Sequence, residues 1–591
     1  MLLRKYVKIL RLFNDRISLF FAGTVISALV PLIQIRTSFY FRNFVNYLPN
    51  PTNFALIRDT LFLILLLSVL RVFFGFLSGL VLSIWKESAI ASVQKRLFDH
   101  IQNLELSYHT KYSASYFISC VLYDPVVLQN HLTAIYTALF REAPAAIAIF
   151  TAMLVLNKKI ALLSLFFVPF VFLVNLIMAP KFKRKSLEVQ EDTTRIYDSL
   201  EETLNGIQTI KTLAGEFRSS EIFRKAIEKY VKSSVSFTTL GLVQTNLNLL
   251  IATTGVPIVL LFGISYCGTS VTAGDILAFS ILLSSFTGPI NALAGLFSDY
   301  KALYPPLNRM AEILSFRQES EGMVEIKTFA EAIEFREVSF SFGNEGDSFS
   351  LRNINLRVEP GEKIAIVGPS GAGKTTLIKL MLNLLTPSKG SIVLDSIPVS
   401  DFKREDLRRL VKYVPQEAFV FSATIHDNIT FPKQEFNMAL VVAAAERAGI
   451  YKKIVSLPEG FNAPCGRNGL MLSGGERQRL ALARVFLNND FKVLILDEAF
   501  RELDSLMEKQ ILDTVFKLYE DRTIIYVTHR LNSVVSFDRI IVLKGGEIIC
   551  AGSHNDLMAT CRLYREMFLK STGGKDYAVD LIDSKYYRVN Q

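Results

Sequence analysis

The 591-residue chain contains few cysteines, and their positions exclude several classes of protein. Their spacing is neither that of a metal site nor that of a small disulfide scaffold; they are Cys120, Cys267, Cys465, Cys550 and Cys561. An odd and dispersed set of cysteines is typical of a mostly cytosolic, reducing environment. Disorder and collagen-like repeats are also excluded, because half of the residues are hydrophobic.

The chain also lacks the charge pattern of a nucleic-acid-binding protein. Its 65 Lys and Arg exceed its 55 Asp and Glu by a net charge of +10, yet no basic stripe alternates with aromatic residues. We therefore expect no nucleic-acid partner and assign the excess to cytoplasmic helix ends of a membrane protein. The basic N-terminus, MLLRKYVKILRLFNDR, lacks a small-residue cleavage site, so no cleavable signal peptide is expected.

Long, nearly uncharged runs occupy the first 300 residues, whereas the sequence from about 331 onward is typical of a water-soluble α/β protein. A helix that crosses the hydrocarbon core of a bilayer needs about 20 apolar residues. Arg141 and Glu142 interrupt one candidate. The lipid bilayer is thus an expected partner, crossed by six predicted segments at 17–37, 60–85, 133–156, 160–180, 241–267 and 274–297.

The distribution of basic residues predicts how these segments are oriented. With the N-terminus inside, the inner connections carry 20 Lys and Arg and the outer connections carry 5. This predicts a multi-pass protein of the cell (inner or plasma) membrane with both termini in the cytoplasm. The two long inner connections, 86–131 and 181–240, have helical spacing, so the membrane helices are expected to continue into the cytosol.

Polar residues within the apolar segments are candidates for substrate contact. Arg71 lies inside the second segment, where an arginine costs about 2.5–3.5 kcal/mol, so it is expected to face the bundle interior or water. Pairing within the bundle and contact with substrate both remain open. The last two segments also contain polar and helix-breaking residues, which could either make contacts between helices or line a translocation cavity. These are Gln244, Asn246, Asn248, Gly255, Pro257, Thr287, Gly288, Pro289 and Asn291.

The soluble half contains a P-loop in its required context of strand, loop and helix. The apolar strand KIAIV runs into GPSGAGKT, which matches G-x-x-x-x-G-K-[ST], and then into LIKLMLNLL. The glycines let backbone N–H groups point at phosphate oxygens, while Lys374 supplies charge to the β- and γ-phosphates. The residues expected to bind nucleotide are Gly368, Pro369, Ser370, Gly371, Ala372, Gly373, Lys374, Thr375 and Thr376.

A second buried strand, in KVLILDEAF at 492–500, ends in two acids. Asp497 at its carboxyl end can hold Mg²⁺, together with the hydroxyl of Thr375. Glu498 is placed to polarise the attacking water as a general base. The sequence break near 320, at Pro305, Pro306 and the polar stretch RQESEGMVEIK, separates the two halves.

A third motif, LSGGERQRLALAR at 472–484, resembles the signature sequence of ABC ATPases. The chain as a whole is similar to an ABC exporter half-transporter, strongly over 333–570 and in architecture alone over 1–310. The resemblance implies a multidomain fold: a six-helix, all-α transmembrane bundle (1–320) followed by an α/β P-loop domain of ABC type (321–591). ATP and Mg²⁺ are the implied cofactors.

The resemblance also implies roles for single residues. Gln416 matches the Q-loop glutamine that senses Mg²⁺, and His529 matches the switch histidine, so both join Glu498 as catalytic residues. Phe342 stands where the family usually has a tyrosine that stacks on adenine. The signature and D-loop residues implied to meet nucleotide are Ser473, Gly474, Gly475, Glu476 and Asp504.

In the family, the signature of one subunit faces the nucleotide held by the P-loop of the other. Two chains are therefore expected to enclose two ATP molecules, as a homodimer or, less favoured, a heterodimer. Turns near 105–115 and 206–213 correspond to the coupling helices. The expected activity is ATP-driven export of an amphipathic drug, lipid or peptide. An ATP-gated channel is the alternative, and the membrane segments exclude a soluble DNA-maintenance ATPase.

Three short regions depart from the family pattern. Arg467 stands where a glutamate is usual, and the D-loop, usually S-A-L-D, reads Arg501-Glu502-Leu503-Asp504. In the first coupling region, Ser115 and Tyr116 replace the usual Gly-Asp pair. Compensated divergence and altered coupling are both compatible with these changes.

Overall fold

A computed structural model describes residues 16–49, 54–267, 272–319, 321–341, 349–433 and 436–571. The chain divides into two compact units, which are described separately. The first lies within residues 1–103 and 112–316, and the second within 104–111 and 317–591. The domain limits expected from the sequence, 1–320 and 321–591, stay a prediction.

The described part of the first unit is helical. A π-helical turn at Ala138–Glu142 and a 3₁₀ turn at Leu165–Phe167 interrupt its regular helices. In chain order these are α1 (Ile17–Tyr47), α2 (Phe54–Gln102), α4 (Ala114–Leu122), α5 (Asp124–Thr137), α6 (Ala143–Leu156), α7 (Lys158–Ser164), α8 (Val168–Asn205), α9 (Ile207–Thr212), α10 (Glu216–Cys267), α11 (Ala273–Ala302) and α12 (Tyr304–Ile313); α3 (Leu106–Lys111) belongs to the second unit.

Four helical stretches of the described residues are long and apolar enough to cross a membrane. They are Ile17–Tyr47, Phe54–Gln102, Ala114–Leu156 and Ala273–Ile313, and they contain four of the six predicted segments. The other two, 160–180 and 241–267, are helical but are not among these four. The first of them is divided by the 3₁₀ turn, and the second is the C-terminal half of α10. A total of six therefore stays a prediction.

Polar residues of the first unit have divided roles. Gln244 of α10 donates to Asn175 Oδ1 of α8 at 2.5 Å, and both line a cavity of about 700 Å³. Asn248, Thr287 and Asn291 line a second cavity of about 40 Å³. Pro289 lies inside α11, and the helix continues through it to Ala302. Three further residues are not among those that line these two cavities: Arg71 is exposed with no partner among the described residues, Asn246 donates to its own helix at Leu242 O, and Pro257 is exposed.

Both predicted coupling regions contain a short helix, α3 and α9. Glu105, just before α3, donates its N–H to Arg317 O at 3.2 Å, and Leu106 packs on the apolar core of the second unit. After α3, the hydroxyl of Tyr116 donates to Glu312 Oε2 at 3.3 Å within the first unit. The tyrosine that replaces the family's aspartate thus gains an acidic partner on α12.

Two sheets form the framework of the second unit. The strands of the smaller, antiparallel sheet are ordered β2-β1-β4-β5, and those of the larger sheet are ordered β10-β9-β3-β8-β7-β6. The larger sheet is parallel except for β10. The strands are β1 (Ile333–Ser341), β2 (Phe349–Val358), β3 (Lys363–Val367), β4 (Lys389–Leu394), β5 (Ile397–Pro398), β6 (Val411–Val414), β7 (Val493–Asp497), β8 (Thr523–Val527), β9 (Arg539–Lys544) and β10 (Glu547–Gly552).

The larger sheet is covered on both faces, as its continuous apolar strands require. Ala365 and Leu494 point into one apolar cluster, whereas their neighbours Ile364 and Val493 point into the other. The helices of this unit are α13 (Lys374–Met381), α14 (Arg404–Leu410), α15 (Ile425–Thr430), α16 (Met438–Arg447), α17 (Tyr451–Ser456), α18 (Gly474–Leu487), α19 (Ser505–Leu518), α20 (His554–Thr560) and α21 (Arg562–Ser571).

One disulfide joins Cys550 of β10 to Cys561, which follows α20, with Cα atoms 6.4 Å apart. The dispersed spacing of the cysteines does not predict this pair. Cys120 and Cys465 are buried free thiols.

Candidate nucleotide site

The site forms at the carboxyl edge of the larger sheet, where parallel strands place their following residues side by side. β3 leads into the P-loop, β7 ends at Asp497, β8 leads to His529, and β6 leads to Gln416. Registers such as Asp497 opposite Val527 align these strand ends. The fold therefore brings together residues that lie up to about 160 positions apart, at one edge.

The P-loop follows a course that side chains would obstruct. Gly373 has φ 98°, and a Cβ there would lie 2.6 Å from Ser350 O. A Cβ at Gly368 would lie 2.1 Å from Leu543 O. Both glycines are thus required by close backbone packing, which fixes the loop at the N-terminus of α13.

Lys374 is held inside this loop. Its side chain donates to Gly368 O at 2.9 Å and to Pro369 O at 3.2 Å, and the residue is 7% exposed. Burial lowers the pKa of Lys374, although the carboxylates of Glu498 and Asp497 act in the opposite direction. An ammonium bonded only to carbonyl oxygens is positioned to gain from an added phosphate.

A cavity of about 430 Å³ lies beside the loop. Its walls contain all three residues expected to be catalytic: Gln416, Glu498 and His529. His529 Nδ1 lies 3.6 Å from Glu498 Oε2, and the His529 side chain is 52% exposed. The other lining residues are Ser350, Ser370, Gly371, Ala372, Gly373, Lys374, Thr375, Thr376 and Arg501.

Asp497 has the chemistry of a cation ligand. It is fully buried, and Tyr413 donates its hydroxyl to Oδ2 at 3.2 Å, while Oδ1 accepts no hydrogen bond from a described residue. Burial raises the pKa of Asp497, against the lowering effect of the Thr375 and Tyr413 hydroxyls. A carboxylate oxygen beside a threonine hydroxyl is a hard-oxygen donor set that fits Mg²⁺. Within the described residues, no cluster of three His, Cys, Asp or Glu could hold a metal alone, so other oxygens must complete such a site.

The signature residues form the start of α18. The Ser473 side chain accepts from the Glu476 N–H at 3.3 Å, and Glu476 Oε2 accepts from the Ser473 N–H at 2.8 Å. This capping box uses the carboxylate of Glu476, which also lies 3.4 Å from Lys453 Nζ. Ser473, Gly474 and Gly475 are not among the described residues that line the P-loop cavity. One chain thus carries the P-loop and the signature as two separate surfaces.

Models of two protein families match this chain. The model described as "ABC transporter transmembrane region" matches residues 20–290, and the one described as "ABC transporter" matches 351–501. An ATP-dependent lipid A-core flippase of Desulfotalea psychrophila is 30% identical over 511 residues, which cover 85% of this chain and 89% of that protein. This chain belongs to the ABC transporter family.

Two further similarities agree with the ABC assignment. A lactococcin transport/processing ATP-binding protein of Lactococcus lactis is 29% identical over 92% of this chain and 76% of that protein. The structure of a bacterial Atm1-family ABC exporter with ATP bound has a TM-score of 0.83 and 23% identity, covering 94% of this chain and 99% of that one. The chain is accordingly a multi-pass ABC exporter, with a transmembrane domain fused to an ATP-binding domain.

Asp504, which is expected to meet nucleotide, is not among the described residues that line the cavity. Asp504 caps α19, where its Oδ1 accepts from the Met507 N–H at 2.8 Å. Phe342 lies outside the described residues. Arg467 is exposed in a 3₁₀ turn, Arg467–Gly469, and nothing in the structure explains its replacement of the family's glutamate.

Several residues of the site were not found by sequence reasoning. Tyr413 precedes Gln416 by three positions, and this spacing is its only local signal. The sequence marks Arg501 as a departure from the family's D-loop, and its place in the cavity has no local signal. Arg530 donates to the D-loop carbonyls of Leu503 and Arg501 at 2.8 and 2.9 Å, a long-range arrangement that no motif indicates.

Proposed function

We propose that this ABC exporter hydrolyses ATP, and that two copies close on nucleotide to move an amphipathic solute out of the cytoplasm. The observation that carries the proposal is the separation of two surfaces on one chain. The P-loop, Gln416, Glu498 and His529 line one cavity, whereas the signature begins a helix elsewhere. A second chain is needed to bring a signature to that cavity.

The residues of the cavity have complementary roles in this proposal. Lys374 neutralises phosphate charge, and Asp497 and Thr375 hold Mg²⁺, with Gln416 as a further oxygen donor. When bound, Mg²⁺ supplies charge stabilisation for the transferring phosphoryl group. Glu498 accepts a proton from the attacking water, and His529, 3.6 Å from that carboxylate, faces the terminal phosphate.

The signature supplies the complementary half of the site. Its helix N-terminus carries free N–H groups and the positive end of the helix dipole, both of which favour a phosphate. Gly474 and Gly475 add no side chain of their own to this surface, while Ser473 and Glu476 hold its first turn. Asp504 holds the start of the neighbouring helix α19. A homodimer is favoured because one chain carries every one of these parts, and a heterodimer stays the second option.

The transmembrane unit has a cavity suited to an amphipathic substrate. Aromatic and aliphatic side chains, among them Phe172, Leu176 and Phe182, line it together with the polar Gln244 and Asp299. Relatives named for a lipid-like and a peptide substrate support these two classes. We propose a lipid, a peptide or a drug-like solute as cargo, with both termini on the cytoplasmic side, in the cell (inner or plasma) membrane.

The variant Glu498→Gln tests the proposal. It should retain ATP binding and lose turnover by about two to four orders of magnitude, because the glutamine cannot accept the proton. The measurement is phosphate release by the full chain in lipid, with lipids, peptides and drugs added in turn. Glu547→Gln, on the exposed strand β10, is the matched control and should keep normal turnover.

Normal hydrolysis by Glu498→Gln would remove Glu498 from its assigned role. If the native chain is strictly monomeric and its rate of ATP hydrolysis is still proportional to its concentration, the two-chain site is contradicted. Stimulation by one class of added solute identifies the cargo class, and a strict requirement for a different polypeptide would replace the homodimer by the heterodimer.

A further inference from the structure

Arg501 places a cation on the wall of the nucleotide cavity. The family usually has serine at this D-loop position, whereas this chain has arginine. The cavity of about 430 Å³ is lined by Arg501 together with Lys374, Glu498 and His529. An additional guanidinium at this place changes the charge that a bound nucleotide meets.

The backbone of Arg501 is held at both of its polar groups. Its N–H donates to Glu498 O at 3.0 Å, and its carbonyl accepts from Arg530 Nη2 at 2.9 Å. Arg530 is itself fixed by Glu508, a 2% exposed residue whose Oε2 lies 2.7 Å from Arg530 Nη1. The base of the Arg501 side chain is therefore fixed relative to Glu498.

The guanidinium of Arg501, by contrast, has no hydrogen-bond or ion-pair partner among the described residues. The carboxylate of the neighbouring Glu502 is not an ion-pair partner of Arg501, because it lies against the signature. A Cβ built on Gly474 would lie only 2.9 Å from Glu502 Oε2. An arginine fork binds phosphate through parallel N–H···O bonds and is more weakly hydrated than an ammonium. An unengaged guanidinium on the wall of a phosphate cavity is thus ready for an anion.

We propose that Arg501 contacts the terminal phosphate of the nucleotide bound by the P-loop of its own chain, and so makes the site prefer the triphosphate to the diphosphate. The proposal rests on the proposed function of this cavity. It adds a nucleotide contact in the same chain to those made by Lys374. Because ADP lacks the terminal phosphate, this contact acts on ATP alone.

The test compares Arg501→Ser, which restores the family's usual residue, with Arg501→Lys, which keeps the charge and loses the fork. Dissociation constants for AMP-PNP and for ADP are measured on the full chain in detergent with Mg²⁺ present. Arg501→Ser should weaken AMP-PNP binding by about tenfold or more, the size of one charge-assisted hydrogen bond, and leave ADP binding within about twofold. Arg501→Lys should fall between Arg501→Ser and the native chain.

Two controls separate this proposal from the proposed function. Glu547→Gln, on the exposed strand β10 and not among the residues that line the cavity, should leave the ratio of the two dissociation constants unchanged. Lys374→Ala should weaken the binding of both AMP-PNP and ADP. Unchanged binding by this variant would contradict the nucleotide-binding function of the cavity, independently of the result for Arg501. Equal weakening of AMP-PNP and ADP by Arg501→Ser, or no weakening of either, would overturn the Arg501 contact while leaving the cavity assignment intact.

Discussion

The buried carboxylate of Glu508 should make Arg530 one of the most sensitive positions of the second unit. Glu508 Oε1 accepts from the Tyr526 hydroxyl at 2.6 Å, and Oε2 accepts from Arg530 Nη1 at 2.7 Å. Burial raises the pKa of Tyr526, which keeps this hydroxyl a donor. Arg530 also satisfies the carbonyls of Leu503 and Arg501. Removing the arginine leaves one charge and two acceptors without their partner.

Arg530→Met keeps most of the side-chain volume and removes every one of these donors. Breaking a buried ion pair from one side costs about 3–5 kcal/mol. The Arg530 side chain is 33% exposed, so water can reach the gap and the lower end, about 3 kcal/mol, applies. For a domain of this size that corresponds to a fall of roughly 6–12 °C in the apparent melting temperature.

The assay is thermal unfolding of the full chain in detergent, followed by a probe of the second unit. Arg562→Met is the matched control, because Arg562 makes an exposed i,i+4 ion pair with Glu566 and its side chain is 92% exposed. That control should leave the melting temperature nearly unchanged. Adding Glu508→Gln to Arg530→Met should recover much of the loss, since the unpaired charge is then gone. Equal melting temperatures for Arg530→Met and Arg562→Met would refute the reasoning.

Three further predictions concern the nucleotide site. Lys374→Ala should weaken ATP binding itself, as measured by nucleotide titration, and unchanged affinity would contradict the phosphate contact. Ser473→Ala and Ser553→Ala each remove a helix cap worth about 0.5–2 kcal/mol, yet only the former should also slow ATP turnover. Burial raises the pKa of Asp497, and Mg²⁺ binds only the carboxylate form. As the pH falls, Mg²⁺-dependent nucleotide binding should therefore weaken at a higher pH than it would if the metal ligand were an exposed aspartate. Tyr413→Phe should move this loss of binding to a still higher pH, because the variant lacks the hydrogen bond that stabilises the Asp497 carboxylate. Identical Mg²⁺ titrations of the native chain and of Tyr413→Phe at every pH would contradict this.

The amino-acid sequence by itself determined the parts of the protein that local spacing encodes. Lys374 and Thr375 follow directly from the P-loop pattern after an apolar strand, and Asp497 ends a strand whose continuous apolar run requires burial on both faces. The start of α18 at Gly474 is also encoded locally, because Ser473 and Glu476 form a capping box within one turn of the helix. Hydrophobic length predicted six membrane segments, and four of them lie in helical stretches that are apolar enough to cross a membrane.

Only the tertiary structure decided which distant side chains share an environment. Arg501 reads as an isolated departure in the chain, and its place in the cavity depends on a carbonyl held by Arg530, 29 positions away. Glu508 and Tyr526 are unremarkable in sequence, and their burial together results from packing α19 on β8. The pairing of Cys550 with Cys561 needs the turn of chain between β10 and α20. These contacts escape sequence reasoning because burial and charge pairing belong to the folded arrangement, whereas helix and strand periods reach only a few residues along the chain.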